Sequence, residues 1–149
     1  QRNCAAAVPE PGPRTAEDKA LLAAAAALLS TLRPLMTEFQ PHKALEAIWE
    51  VVGAANRYVD AQAPWTLRRT DPTRMATVLW VLAETIRRLA ISTQPFVPGA
   101  SAAILDQLAV PTEARLLVHL DDGDALRPGT TLPAPTGVFP RFVDSEAAA

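Results

Sequence analysis

One cysteine, two histidines and six glycines in 149 residues leave little material for a catalytic or metal centre. Cys4 has no second cysteine to pair with, which excludes an intramolecular disulfide, and no nearby histidine to activate it. His42 and His119 lie in different segments, and neither belongs to a zinc-ligand spacing. No serine sits in a nucleophile elbow and no glycine-rich loop could cradle a phosphate, so the expectation is no catalytic residue, no metal and no cofactor in this chain. A basic excess is missing too. The formal net charge is −2, whereas a domain that binds nucleic acid alone usually carries surplus lysine and arginine. Any such recognition is confined to a small patch, and Arg57, Arg68, Arg69 and Arg74 crowd one part of the chain. The longest apolar run, Ala20 to Leu29, is shorter than the roughly 20 residues needed to cross a bilayer, and no basic stretch precedes it as in a secretory signal. The expected location is the cytoplasm, with no membrane role.

What is present is alanine, leucine and valine. Hydrophobic residues make up 49% of the chain and aromatics only 5%, a mixture that favours helices over sheets. The length suits one domain with a core of its own. Three prolines and a glycine within residues 1–14 read as an extended lead-in. Thr15 and Asp18 resemble a capping box, with Asp in place of the usual Glu or Gln. Leu21, Leu22, Ala25, Leu28, Leu29, Leu32 and Met36 then recur at helical spacing, which predicts a helix from about Ala16 to Glu38.

A second helix is expected from about His42 to Gln62, with Pro41 at its start, Leu45, Ile48, Trp49, Val52, Ala55 and Val59 as its stripe, and Pro64 as its stop. Asp71 and Pro72 form a cap and first-turn pair for a third helix, striped by Met75, Val78, Leu79, Leu82, Ile86, Leu89 and Ala90 and ending near Ser92. A shorter helix, about Ala100 to Leu108, follows. The expected organisation is a lead-in over 1–14, an all-α, up-down helical bundle over 15–120 and an irregular tail over 121–149. Trp49 and Trp80 sit in the stripes and are expected in the core, while the acidic residues are expected on exposed helix faces.

Polar and aromatic residues interleave from Asn56 to Trp65. A tryptophan directly after Pro64 at a helix end is held on one side by a fixed backbone; exposed, its ring can stack on an unpaired base. Arg57, Arg68 and Arg69 can meet phosphates and Asn56 a base edge, which is how single-stranded RNA loops are read. Spacing does not separate this from a Trp65 that merely covers the bundle end, with Tyr58 in the core and its hydroxyl at the surface. A helical protein-interaction or structural module is the rival reading, favoured by the acidic balance.

The run Ala55, Asn56, Arg57, Tyr58, a hydrophobe, Asp60 and then Pro64, Trp65 resembles the anticodon-binding domain of methionyl-tRNA synthetases. The likeness extends to His42, Lys43, Ala44, Leu45, Ile48 and Trp49 before it, to Leu79, Leu82, Arg87, Pro95, Phe96 and Pro98 after it, and to the closing Gly137, Val138, Phe139, Pro140, Arg141. The resemblance implies that Trp65 stacks on the anticodon, chiefly on its first base, and that Asn56 and Arg57 line the surrounding site. It makes Asp60 similar to an acidic residue that repels wrong anticodons. Arg2 is a further candidate, as the remnant of an arginine on an earlier helix. The implied partners are the CAU anticodon loop of methionine tRNA and initiator tRNA, and the catalytic domain of the same enzyme, with no DNA and no membrane. That catalytic domain, which would bind ATP and methionine, has no counterpart in this chain.

Overall fold

Proline sets the rhythm of the helices. Pro41, Pro64, Pro72 and Pro98 each stand in the first turn of a helix, where the missing N–H costs nothing and the fixed φ is already helical. The computed structural model of the chain describes residues 4–120 and 122–139. Arg2, Pro140 and Arg141 lie outside the described residues.

Among the described residues there are five α-helices: α1 Ala16–Thr37, α2 Pro41–Gln62, α3 Pro64–Thr70, α4 Pro72–Thr93 and α5 Pro98–Gln107, followed by short 3-10 turns. The all-α reading holds, and the four expected helices end within two residues of their expected limits. The addition is α3. Pro64 ends α2 but also starts a helix, because Ala63 takes a left-handed conformation (φ 42°, ψ 60°) that turns the chain within one residue. The capping box on α1 is complete: the Thr15 side chain accepts from the Asp18 N–H, and the Asp18 carboxylate accepts from the Thr15 N–H at 2.9 Å.

Helices α1, α2 and α4 pack pairwise, and α5 lies on α4. Ala25, Leu28 and Leu32 of α1 meet Ala44, Ile48 and Val51 of α2 in one buried cluster. Leu21, Leu22, Tyr58, Val78, Val81 and Ile91 lead a second, which Val8, Leu105, Val110, Leu120 and Leu126 join. As a whole helix, unlike the run Ala20 to Leu29 within it, α1 is long and apolar enough by length and composition to cross a membrane, with a window of mean hydropathy 1.5. Here its inward residues are covered by α2 and α4.

Two expectations about burial need correction. Trp80 is 4% exposed, and its indole N–H donates to the Leu126 carbonyl at 3.1 Å. Trp49, however, is 64% exposed. Ile48 occupies the core position, and a step of about 100° per residue carries its neighbour off the buried face. The acidic residues are not all on exposed faces either. Asp18 and Glu84 are fully buried, each neutralised by arginine: Glu84 accepts from Arg87 at 2.7 and 2.9 Å and from Arg88 at 2.7 Å.

Glu84 also accepts from the Leu126 N–H at 3.0 Å, which pins the C-terminal segment to α4. The lead-in and tail pair with one another through an antiparallel bridge between Ala7 and Thr131, flanked by Val8 N–H to Thr130 at 2.9 Å and Leu132 N–H to Ala6 at 2.7 Å. Gly129, at φ 80°, supplies the turn before that bridge.

Candidate nucleic-acid interface

Helical geometry decides which residues of the Asn56 to Trp65 run are available. Tyr58 points into the core, and its neighbours Asn56, Arg57 and Asp60 are exposed. Trp49, Gly53, Asn56 and Asp60 follow at intervals of four, three and four, so they share one outward face of α2. Gly53 matters there because a Cβ at that position would lie 3.3 Å from a terminal nitrogen of Arg57: the missing side chain is the space over which the guanidinium lies. The α2 face therefore offers an aromatic ring, an amide, a cation and a carboxylate along its length.

Trp65 stands in the first turn of α3 and is 62% exposed, so the ring does not close the bundle end. Its position follows from Ala63, whose left-handed backbone redirects the chain before Pro64 fixes the next φ. Arg68 and Arg69 occupy the last turn of the same short helix and are exposed. Thus Asn56, Arg57, Asp60 and Trp65 are all solvent-facing on the last two turns of α2 and the first of α3, and Arg68 and Arg69 extend that end of the molecule. Arg2 lies outside the described residues.

Arg74 does not belong to this cationic patch. Its guanidinium is turned inward onto Asp18, with contacts of 2.5 and 2.7 Å, and donates to Gln62 Oε1 at 2.6 Å. The Tyr58 hydroxyl donates to the same carboxylate at 2.5 Å, so it is buried rather than at the surface. Burial pushes the Asp18 carboxyl upward, but the hydrogen bonds from Arg74, Tyr58 and the Thr15 backbone outweigh it and hold the group down at about 2. Burial and the adjacent Asp18 carboxylate push the Tyr58 hydroxyl well above the ordinary tyrosine range. This buried group joins α1, α2 and α4 directly beneath the exposed run.

Sequence reasoning missed two features here, the exposure of Trp49 and the inward turn of Arg74. A signal for the second existed: Asp18 sits at the capping-box position with a side chain too short to be conventional there, and Tyr58 lies between the charged Arg57 and the stripe residue Val59. Nothing in the spacing linked either to Arg74.

Among the described residues, Trp65 lines none of the larger cavities. A shallow apolar groove of about 340 Å³ lies between α1 and α2, lined by Leu21, Ala24, Ala54, Tyr58 and Ala61, with Arg57 at its edge. Another cavity, about 350 Å³, lies where the C-terminal segment meets α4 and contains none of the predicted site residues. Among the described residues, no group of three or more His, Cys, Asp or Glu side chains is placed to hold a metal ion. The arrangement suits an extended ligand laid over an exposed ring, not a substrate enclosed in a cleft.

The family model for the anticodon binding domain of methionyl tRNA ligase matches residues 8–149. The methionine–tRNA ligase of Mesorhizobium japonicum is 51% identical over 147 residues, 99% of this chain and 28% of the relative. That of Mycobacterium tuberculosis is 41% identical over 145 residues, 95% of this chain and again 28% of the relative. Among solved structures, M. tuberculosis methionyl-tRNA synthetase in complex with methionyl-adenylate superposes with a TM-score of 0.90 at 42% identity, covering 94% of this chain and 28% of that one. Its apo form gives 0.88 at 41% identity, covering 93% and 28%. The chain spans little more than a quarter of the length of the relatives it matches.

Proposed function

Since the chain belongs to the family of anticodon-binding domains of methionyl-tRNA ligases, we propose that it reads the CAU anticodon loop of methionine tRNA and initiator tRNA. The observation that carries this reading is the 62% exposure of Trp65 on the same end as Asn56, Arg57 and Asp60. An exposed indole offers a flat apolar face to an unstacked base, and such stacking contributes about 1–3 kcal/mol per base. Trp65 takes the first anticodon base in this reading. Asn56 supplies both donors and an acceptor for a base edge, and the guanidinium of Arg57, lying along α2 over Gly53, meets the backbone of the loop.

Asp60 supplies selectivity by opposition. An exposed carboxylate beside a polyanion disfavours every RNA, and only a loop whose bases make the stacking and edge contacts offsets that cost. The parent protein is a methionine–tRNA ligase in this reading, with ATP and methionine bound by its catalytic domain, which is the second partner of this chain. The complex acts in the cytoplasm and has no DNA partner.

The test is a titration of the chain with a CAU anticodon stem-loop and with a second stem-loop changed only at the first anticodon base. Preferential binding of the first, with quenching of tryptophan fluorescence, is expected. Equal affinity for both would sink the proposal.

A further inference from the structure

Arg74 holds both ends of the segment that carries Trp65. Its backbone N–H, in the first turn of α4, donates to the Asp71 carboxylate at 2.9 Å, on the C-terminal side of α3. Its guanidinium donates to the Gln62 side-chain oxygen at 2.6 Å, on the N-terminal side. Gln62 is the last residue of α2, one residue before the left-handed Ala63. Between these two attachments lie Pro64–Thr70, with Trp65, Arg68 and Arg69.

Apart from its packing along α4, the segment has little burial to orient it. None of the seven residues of α3 is fully buried, and Leu67 alone of them packs on the core. A helix of that length has no stability of its own in water. Beyond that packing its direction depends on its tethers, and the tether at Gln62 acts at the point where the chain turns. Arg74 is held rigidly in its turn: both guanidinium contacts to Asp18 are short, Asp18 is fully buried, and Tyr58 donates to the same carboxylate from α2. At the Ala63 turn the buried Asp18–Tyr58 group thus reaches the segment through the Arg74 guanidinium.

We propose that Gln62 and Arg74 are positioning residues: the bond between them fixes the Ala63 turn, and so presents the Trp65 ring in the orientation that receives a base. This rests on the reading of Trp65 as the stacking residue. It goes beyond that reading by assigning two residues that touch no RNA. A ring already held in its bound orientation loses less freedom on binding, which appears as affinity without any added contact.

The test uses the whole chain labelled with 5-fluorotryptophan, whose three tryptophans give separate fluorine signals, Trp65 being identified by its loss in Trp65→Phe. Gln62→Met keeps the length of the side chain and removes the acceptor, while leaving the Asp18–Arg74 pair intact. The Trp65 signal of the free variant should broaden or split, and the CAU stem-loop should bind roughly threefold to tenfold more weakly, as for loss of one hydrogen bond. The helical circular-dichroism melt should stay close to that of the parent chain. Gln62→Glu retains an acceptor for Arg74 and should keep the original Trp65 signal. Unchanged affinity in Gln62→Met, or the same disturbed signal in both variants, would overturn the proposal. If the unsubstituted chain binds both stem-loops alike, the RNA reading falls instead, and the free-chain signal alone decides whether the clasp exists.

Discussion

The Tyr58 hydroxyl donates a 2.5 Å hydrogen bond to the Asp18 carboxylate across 40 residues of sequence, and this bond ties the last turns of α2 to the first turn of α1. Asp18 is the same residue that completes the capping box and receives Arg74. One carboxylate therefore serves a helix terminus, a tyrosine and a guanidinium, and all three favour its ionised form.

A pH dependence follows, with a sign for each partner. Asp18 has its folded value held at about 2, below the ordinary aspartate value, so its contribution is complete above about pH 4 and is lost as pH falls towards 2. Tyr58 is shifted the other way: the folded state keeps its proton more tightly, so stability declines as pH rises past about 10. Thermal melts across pH should show both flanks. Tyr58→Phe should remove the alkaline decline that Tyr58 causes, and Asp18→Asn should shrink the acid one, leaving the share of Glu17, at a cost of about 3 kcal/mol at neutral pH, because Arg74 loses its buried partner. An acid flank as steep in Asp18→Asn as in the parent chain would contradict this assignment.

Glu84 carries the second buried charge, and its partners are more demanding. Arg87 and Arg88 are each 1% exposed, and each also donates to a carbonyl, of His119 at 2.6 Å and of Leu22 at 3.0 Å. Glu84→Gln keeps the shape and removes the charge that compensates two guanidinium groups, so urea unfolding should show a loss of about 3–5 kcal/mol. The same carboxylate anchors the Leu126 amide. Limited proteolysis should accordingly cut the variant in the region after Leu120 faster than the parent chain. Equal rates would mean that Trp80, the core contacts of Leu126 and the pairing with the lead-in secure the segment without Glu84.

Much of this architecture was legible because it depends on local rules. Prolines at first turns, the Thr15 cap and stripes at helical spacing need only near neighbours in sequence, and they located α1, α2, α4 and α5. The helix α3 escaped because Pro64 has two meanings, terminator and initiator, and the choice is made by the backbone of Ala63. Trp49 escaped because periodicity assigns a stripe some hundred degrees wide, while burial selects Ile48 within it. The exposed run from Asn56 to Trp65 was visible as an interleaving of polar and aromatic residues. The carboxylates of Asp18 and Glu84 were not visible as buried groups, since what pays their desolvation is arginine from another helix or the next turn.

The three tryptophans separate recognition from folding. Trp80, 4% exposed and bonded to Leu126, should cost about 3–5 kcal/mol of stability when replaced by alanine. Trp65→Ala should leave the melting temperature nearly unchanged and weaken stem-loop binding by about 1–3 kcal/mol. Calorimetry of unfolding and of binding on the same samples gives both numbers. A Trp65→Ala chain that unfolds easily would show the ring to be structural despite its exposure.

The exposed arginines give a prediction that does not depend on any ring. Each phosphate neutralised on a single-stranded loop contributes about −0.7 to the slope of log affinity against log salt. Arg57, Arg68 and Arg69 are exposed at the α2–α3 end, whereas Arg74 is turned inward. If all three reach the loop backbone, the slope is about −2, and replacing any one by glutamine makes it shallower by about 0.7. Arg74→Gln should weaken binding while leaving the slope where it was, since that charge is spent on Asp18 and not on RNA. A slope that becomes shallower in Arg74→Gln would show the guanidinium leaving Asp18 for phosphate in the complex, and the buried carboxylate would then have to find a proton.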